Sequence, residues 1–146
     1  MMEAATMRLA WTLGLLGLLP FAGLALVALA VTGWHDWALM ALRAYGAVIL
    51  SFLGAVHWGV ALRAPEAEAP TNRQRLSMGV LPALVGWAAL LLPIKSGLWL
   101  LAAALVAVAA VEQWASLRGF VSGPYVVLRW VLSLSAGACL LAAALA

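Results

Sequence analysis

Charged residues are scarce in this sequence, and their scarcity excludes a soluble protein. Only 9% of the 146 residues are Asp, Glu, Lys or Arg, whereas a soluble domain carries about 25%. Hydrophobic residues make up 67% of the chain, and the mean hydropathy is +1.10. Because so apolar a chain cannot cover a surface that faces water, the sequence predicts an integral membrane protein. The length fits a single domain, residues 1–146.

Cysteine and histidine are also rare, which argues against several kinds of site. The one cysteine, Cys139, can form no internal disulfide and is interpreted as a small apolar side chain. The two histidines are predicted on opposite sides of the membrane, where they cannot share a metal ion or ligate one haem. The sequence has neither a phosphate-binding glycine loop nor a nucleophile elbow. We therefore expect no metal, no cofactor and no soluble-type enzyme activity.

The residues that are abundant form long apolar runs. A spanning helix needs about 20 mostly apolar residues, and no run alternates in the manner of a barrel strand. The sequence therefore predicts an all-α, polytopic membrane protein, in which RAPEAEAPTNRQR (63–75) is the one longer loop. The five predicted transmembrane helices of the bundle cover about residues 9–31, 37–62, 76–93, 97–114 and 124–145.

Basic residues predict how the bundle is oriented. Lys and Arg of short loops collect on the cytoplasmic side, and one side of the predicted bundle holds only Lys95. The N-terminus is therefore expected in the cytoplasm and the C-terminus outside, in a multi-pass protein of the bacterial cytoplasmic (inner) membrane. The basic residues form no patch with exposed aromatics, so no nucleic acid is expected as a partner. The opposite side holds Arg8, Arg63, Arg73, Arg75 and Arg118.

The first apolar run partly resembles a secretory signal. Ala28, Leu29 and Ala30 follow the pattern of a signal cleavage site. The run is, however, longer than the apolar core of a signal, which has roughly 7 to 15 residues. We therefore expect residues 1–30 to be retained as a true helix.

The second predicted helix carries a row of small residues. Residues of this size at a spacing of four let two helix backbones approach closely. We interpret the row as a packing stripe inside the bundle, and a homodimer face is the alternative. The stripe consists of Ala47, Ser51, Ala55 and Gly59.

Three ionisable residues are predicted at one depth of the inner leaflet. At about 1.5 Å rise per residue, His57, Glu112 and Arg129 lie at similar distances from the ends of their helices. Ionisable side chains inside a membrane usually face the bundle interior and pair, so we expect Glu112 to pair with Arg129, with His57 beside them. The cluster is either structural, or it binds an anionic or quinone-like head group or relays protons. Its expected supporting residues are Trp58, Gln113 and Tyr125.

Two prolines lie within predicted helices. Pro20 and Pro82 each remove one backbone hydrogen bond and should kink their helices, which frees the carbonyls of Leu16 and Met78. Both prolines end a G-x-L-P motif, which is consistent with a duplicated helix hairpin. Such repeats are common in transporters.

Four stretches together resemble a known family: GLLPF (17–21), AYGAVILSFLGAVHWG (44–59), LPALVGWAALLLP (81–93) and YVVLRWVLS (125–133). They are similar to the small bacterial membrane proteins grouped as domain of unknown function 3429, a family that also contains the mitochondrial transmembrane protein 69. The resemblance implies the helical fold and a polar cluster, but no activity and no substrate. Ala55 stands where the family commonly has glycine, and Glu112 where it has aspartate. The other matching positions are His57, Trp58, Gly59, Tyr125 and Arg129.

Three functions are consistent with these features. The first is a non-catalytic accessory, assembly or scaffold component of a membrane complex, which uses the packing stripe to bind other subunits or a second copy. The second is a small transporter or a proton or ion pathway through the cluster, with a water-filled cavity open to the cytoplasm. The third is a binder of lipid or quinone head groups, with a tryptophan-lined groove that reaches Arg129. The first is the leading expectation.

Overall fold

The computed structural model describes residues 4–117 and 123–146, which form five long α-helices. Each helix is long and apolar enough to cross a membrane. The all-α bundle of five helices is therefore confirmed, while its orientation in the membrane stays a prediction. The helices are α1 (Ala4–Ala30), α2 (His35–Arg63), α3 (Ala69–Leu91), α4 (Ile94–Leu117) and α5 (Gly123–Leu145), and short 3₁₀ turns at Thr32–Trp34 and Glu66–Glu68 precede α2 and α3.

The connection between α2 and α3 differs from the predicted loop at residues 63–75. Helix α3 already begins at Ala69, and Pro70 in its first turn needs no hydrogen bond for its missing N–H. The polar residues that follow continue the helix beyond its apolar segment, and Arg75 Nη1 donates to Asn72 Oδ1 at 2.9 Å along it. The fourth helix, which was predicted from residue 97, also begins earlier, at Ile94.

Helix α2 lies at the centre of the bundle and contacts the other four helices. Helices α1 and α5, α5 and α4, and α4 and α3 pack in pairs around it. The core is built mainly of leucines and alanines, and Leu42, Leu50, Leu98, Leu101 and Leu105 are almost completely buried. This arrangement gives α2, α4 and α5 a shared interior, where the ionisable residues lie.

Small residues bring α2 and α3 into backbone contact at two places. A Cβ atom added to Gly54 would overlap the carbonyl oxygen of Gly79, and one added to Gly86 would lie 3.0 Å from the carbonyl oxygen of Ala47. The two contacts are seven residues apart on each helix. A larger residue at either glycine would therefore separate the helices.

The predicted packing stripe divides between two environments. Ala47 is buried against α3, and the Ser51 hydroxyl donates to the carbonyl oxygen of Ala47 at 2.9 Å. Ala55 and Gly59 are exposed on the outside of the bundle. The half of the stripe nearer the end of α2 therefore remains available to another chain, and the homodimer face stays a prediction.

Both predicted kinks lie in helices that continue through their proline, since α1 contains Pro20 and α3 contains Pro82. Near Pro20, the Tyr45 hydroxyl donates to the carbonyl oxygen of Gly17 at 2.8 Å. Gly17 precedes Pro20 by three residues, in the turn where the missing proline N–H weakens the helix. The Tyr45 hydroxyl of α2 thus adds a hydrogen bond to α1 in the turn that Pro20 weakens.

Candidate functional site

An ion pair between α4 and α5 is buried in the bundle. Arg129 Nε donates to Glu112 Oε2 at 2.6 Å, and the two side chains are 4% and 0% exposed. Removing two such charges from water carries a large desolvation penalty, which only good pairing offsets. The structure thus brings together the two residues that we expected to pair.

His57 of α2 completes the predicted cluster. Its Nε2 lies 3.2 Å from Glu112 Oε1, and its side chain is 15% exposed. The contact is close, but it is not aligned as a hydrogen bond, and Glu112 Oε1 has no other partner among the described residues. The carboxylate therefore bonds firmly to Arg129 through one oxygen and keeps acceptor capacity on the other.

Ser133 is a fourth polar residue of this region, which sequence reasoning missed. It follows Arg129 by one helical turn on α5 and is 2% exposed. Neither Ser133 Oγ nor Arg129 Nη2 has a hydrogen-bond partner in the described part of the chain. Its spacing of four residues from Arg129 was the available signal, because such residues share one helix face.

The three supporting residues differ in their relation to the cluster. The Arg129 guanidinium lies over the Tyr125 ring, 5.9 Å from the ring centroid, a cation–π geometry. Trp58 Nε1 instead donates to the carbonyl oxygen of Leu76 at 3.0 Å and belongs to the α2–α3 contact. Gln113 Oε1 accepts from Trp130 Nε1 at 3.1 Å. Of the three, Tyr125 is therefore the residue that contacts the cluster, through the Arg129 guanidinium.

An apolar groove of about 400 Å³ between α2, α3 and α4 reaches the cluster at His57. Its other walls are aliphatic side chains and Pro82, and His57 is the one nitrogen-bearing side chain among its described lining residues. No tryptophan of the described ranges lines this groove, so it is not the tryptophan-lined groove of the third hypothesis, which stays a prediction. Further lining residues are Leu50, Met78, Val85, Ala104, Val108 and Val111.

A second and smaller cavity lies on the other side of the cluster. It measures about 110 Å³ and is lined by residues of α1, α2, α4 and α5. Arg129 and Ser133 line it, together with Gly14, Gly17 and Phe52. No described residue lines both this cavity and the groove. The cluster is therefore approached from two separate spaces.

The remaining internal polar groups act at the other ends of the helices. Arg43 Nη1 donates to the carbonyl oxygen of Leu92 at 2.6 Å, next to the last turn of α3. His35 Nδ1 lies 2.7 Å from the carbonyl oxygen of Ala28 near the end of α1. Both residues therefore satisfy carbonyls at helix ends. Within residues 4–117 and 123–146, no three His, Cys, Asp or Glu residues come together as metal ligands.

Comparisons with known proteins cover nearly the whole chain. The family model described as "Protein of unknown function (DUF3429)" matches residues 6–145. Transmembrane protein 69 of Xenopus tropicalis is 46% identical over 81 residues, which are 54% of this chain and 31% of that protein. The aligned region thus spans about a third of this longer relative. No solved structure matches the chain.

Proposed function

The chain belongs to the DUF3429 family of proteins of unknown function, and from this premise we propose that it is a non-catalytic membrane protein that binds the polar head of a quinone or lipid. The head group would occupy the end of the apolar groove, next to His57, Glu112 and Arg129. The groove between α2, α3 and α4 is the observation that carries the proposal, because it joins an apolar space of about 400 Å³ to a buried polar cluster.

The composition of the groove favours an amphiphile. Ligand sites of about 300 to 1,000 Å³ are typically apolar, with a few polar groups that fix the orientation of the ligand. Here the apolar walls suit a hydrocarbon chain, and the His57 ring is the polar group that a head would meet. Because Arg129 is already paired with Glu112 at 2.6 Å, the cluster does not require an anion. A neutral carbonyl or hydroxyl head therefore suits it best.

The depth of the cluster fits such a head group. His57 lies six residues before the end of α2 and Glu112 five residues before the end of α4, which is about 7.5–9 Å at 1.5 Å per residue. The polar headgroup regions occupy the outer 5–8 Å or so on each side of the hydrocarbon core. The head would therefore lie near the boundary between these layers, where membrane amphiphiles carry their polar groups.

The test is to identify the molecules that leave the membrane with the protein. Organic extraction of the purified protein, with quantification of quinones and lipids by mass spectrometry, should yield a stoichiometric amphiphile. Val111→Trp should abolish its retention, since Val111 lines the groove and is 37% exposed. Val106→Trp is the matched control, because this valine lies on the same helix, is 36% exposed and does not line the groove. Equal retention by the two variants would refute the proposal.

A second candidate function is that of an accessory or scaffold component of a membrane complex. It is supported by the exposed half of the packing stripe, Ala55 and Gly59, which another helix could approach closely. Native mass spectrometry of the protein released gently from its own membranes tests this function. Additional subunits that disappear in Gly59→Trp would support it, and a monomer free of other chains would argue against it.

A proton or ion pathway receives less support from the geometry. Glu112 is completely buried and paired, and the groove that reaches the cluster has apolar walls.

We further propose the location and orientation that the arginines predict, with the N-terminus in the cytoplasm of a bacterial cell and the protein in its inner membrane. The positive-inside tendency of short loops supports this orientation.

A further inference from the structure

The small cavity between α1 and α5 contains hydrogen-bond donors that the protein itself does not use. Arg129 and Ser133 line it, and Arg129 Nη2 and Ser133 Oγ are buried without a partner among the described residues. We propose that this cavity is a second binding subsite, which takes a carbonyl oxygen carried by an apolar membrane molecule. The subsite does not depend on the function proposed for the groove.

The two donors belong to residues that share one face of α5. Arg129 directs Nε to Glu112, so Nη2 remains for another acceptor. Ser133 lies four residues further along α5, and side chains at this spacing are neighbours on one helix face, with Cβ atoms about 5–6 Å apart. Each donor can therefore take its own acceptor, such as one of the two oxygens of an ester.

The behaviour of Ser133 is unlike that of other hydroxyls in these helices. Ser51, Ser77 and Ser135 each donate to the carbonyl four residues earlier on their own helix, at 2.9, 3.0 and 2.7 Å. That bond is the usual solution for a serine in a membrane helix. Ser133 is 2% exposed and makes no such bond. Its hydroxyl is therefore left for a group inside the cavity.

The charge and size of the cavity define the chemical class of the ligand. The Arg129 charge is balanced by Glu112, and the remaining lining side chains are apolar, so a neutral acceptor suits the site better than an anion. The volume of about 110 Å³ is below the roughly 150 Å³ of a cavity that binds benzene. The cavity thus accepts a carbonyl group and its neighbouring atoms rather than a complete ring system. Because Phe52 is 64% exposed and lines the cavity, the rest of the molecule can extend along the outside of the bundle.

Two sources supply such an oxygen, namely the acyl ester of a lipid and the carbonyl edge of a quinone. The experiment separates them with three probes added to purified protein in detergent. The probes are a diacyl phosphatidylethanolamine, its dialkyl ether analogue of equal chain length, which lacks the carbonyls, and a short-tailed ubiquinone. Retention of each probe is measured by native mass spectrometry.

Two variants remove the subsite, and each has a matched control. Ser133→Ala deletes one donor, and Ser135→Ala is its control because Ser135 lines neither of the two cavities. Gly17→Leu fills the cavity, since the nearest atom to an added Cβ is the Tyr45 hydroxyl oxygen at 3.9 Å. Gly23→Leu is its control on the same helix, because an added Cβ there meets nothing within 4 Å in the described structure.

The expected result is about tenfold weaker retention of the carbonyl probe in Ser133→Ala, as for one lost hydrogen bond to a buried partner. Gly17→Leu should weaken retention at least as much because its side chain occupies the cavity, and both controls should be unchanged. Preference for the diacyl lipid over its ether analogue identifies an ester, and retention of the ubiquinone alone identifies a quinone. Equal retention of all probes by Ser133→Ala and Ser135→Ala would overturn the proposal. All of these variants are measured in a Val111→Trp background, in which the groove is filled, so that probe retention reports the small cavity alone and the two sites can fail independently.

Discussion

Removal of Glu112 alone should destabilise the bundle much more than its removal together with Arg129. The Glu112 carboxylate is fully buried, and its Oε2 lies 2.6 Å from Arg129 Nε. Glu112→Leu leaves the guanidinium buried without a counter-charge, which costs about 3–5 kcal/mol in unfolding free energy. Arg129→Met should cost a similar amount by leaving the carboxylate unpaired. The double variant buries no charge and should lie within about 1 kcal/mol of the wild type, or be more stable.

The assay is reversible unfolding in mixed micelles with increasing dodecyl sulfate, followed by the loss of helical circular dichroism. The four proteins form a double-mutant cycle, and the losses given above imply a coupling free energy of at least about 5 kcal/mol. Arg73→Met, which changes an exposed arginine of α3, should alter the unfolding free energy by less than about 0.5 kcal/mol. A coupling below about 0.5 kcal/mol would refute the reasoning, since it would mean that Glu112 does not compensate the buried charge of Arg129.

Three further predictions concern packing, a helix end and orientation. Gly79→Ala should lower the unfolding free energy by about 2 kcal/mol, because the new Cβ would overlap Trp58 Cδ1. Gly59→Ala is the control, since its new Cβ meets nothing within 4 Å in the described structure. It should raise the unfolding free energy by up to about 1 kcal/mol. Arg43→Met should lower the unfolding free energy by about 1 kcal/mol, since it removes the 2.6 Å bond to the Leu92 carbonyl; no change would show that this bond contributes nothing. An alkaline phosphatase fused after the C-terminus should be active and one inserted at residues 64–68 inactive, and the reverse pattern would invert the predicted orientation.

The helices could be predicted from the sequence because each is marked by its own apolar run. Their ends were less predictable, since hydropathy reports the part of a helix that lies in lipid rather than the whole helix. Residues 69–75, of which 71–75 are polar, were expected in a loop, yet they form the first two turns of α3. In water, a helix continues for as long as its backbone bonds and capping residues allow.

The positions of His57, Glu112 and Arg129 followed from simple counting along helices, because residues at equal depth in a small bundle are close neighbours. The spacing of four residues places Ser133 on the helix face of Arg129, but it does not reveal that the Ser133 hydroxyl lacks a partner among the described residues. Serines of membrane helices usually bond to their own backbone, as Ser135 does two residues later. Only the three-dimensional packing distinguishes the two side chains.

The small residues of α2 illustrate a similar limit. The sequence displays a period of four, from Ala47 to Gly59, but the contacts with α3 repeat every seven residues, at Ala47 and Gly54. Both periods are present in the sequence, and a period of seven is that of left-handed helix pairs. Which small residues make the contact depends on the helix that packs against α2, and the period alone does not identify that helix.

The ion pair between α4 and α5 also bears on how the protein enters the membrane during synthesis. An arginine within a spanning helix costs about 2.5–3.5 kcal/mol when that helix inserts alone. Glu112 lies on the helix synthesised just before the one that carries Arg129, so the two charges can meet while both helices are still at the translocon. We therefore expect the insertion of α5 to depend on α4, because the two helices can enter as one hairpin in which the buried charges of Glu112 and Arg129 compensate each other.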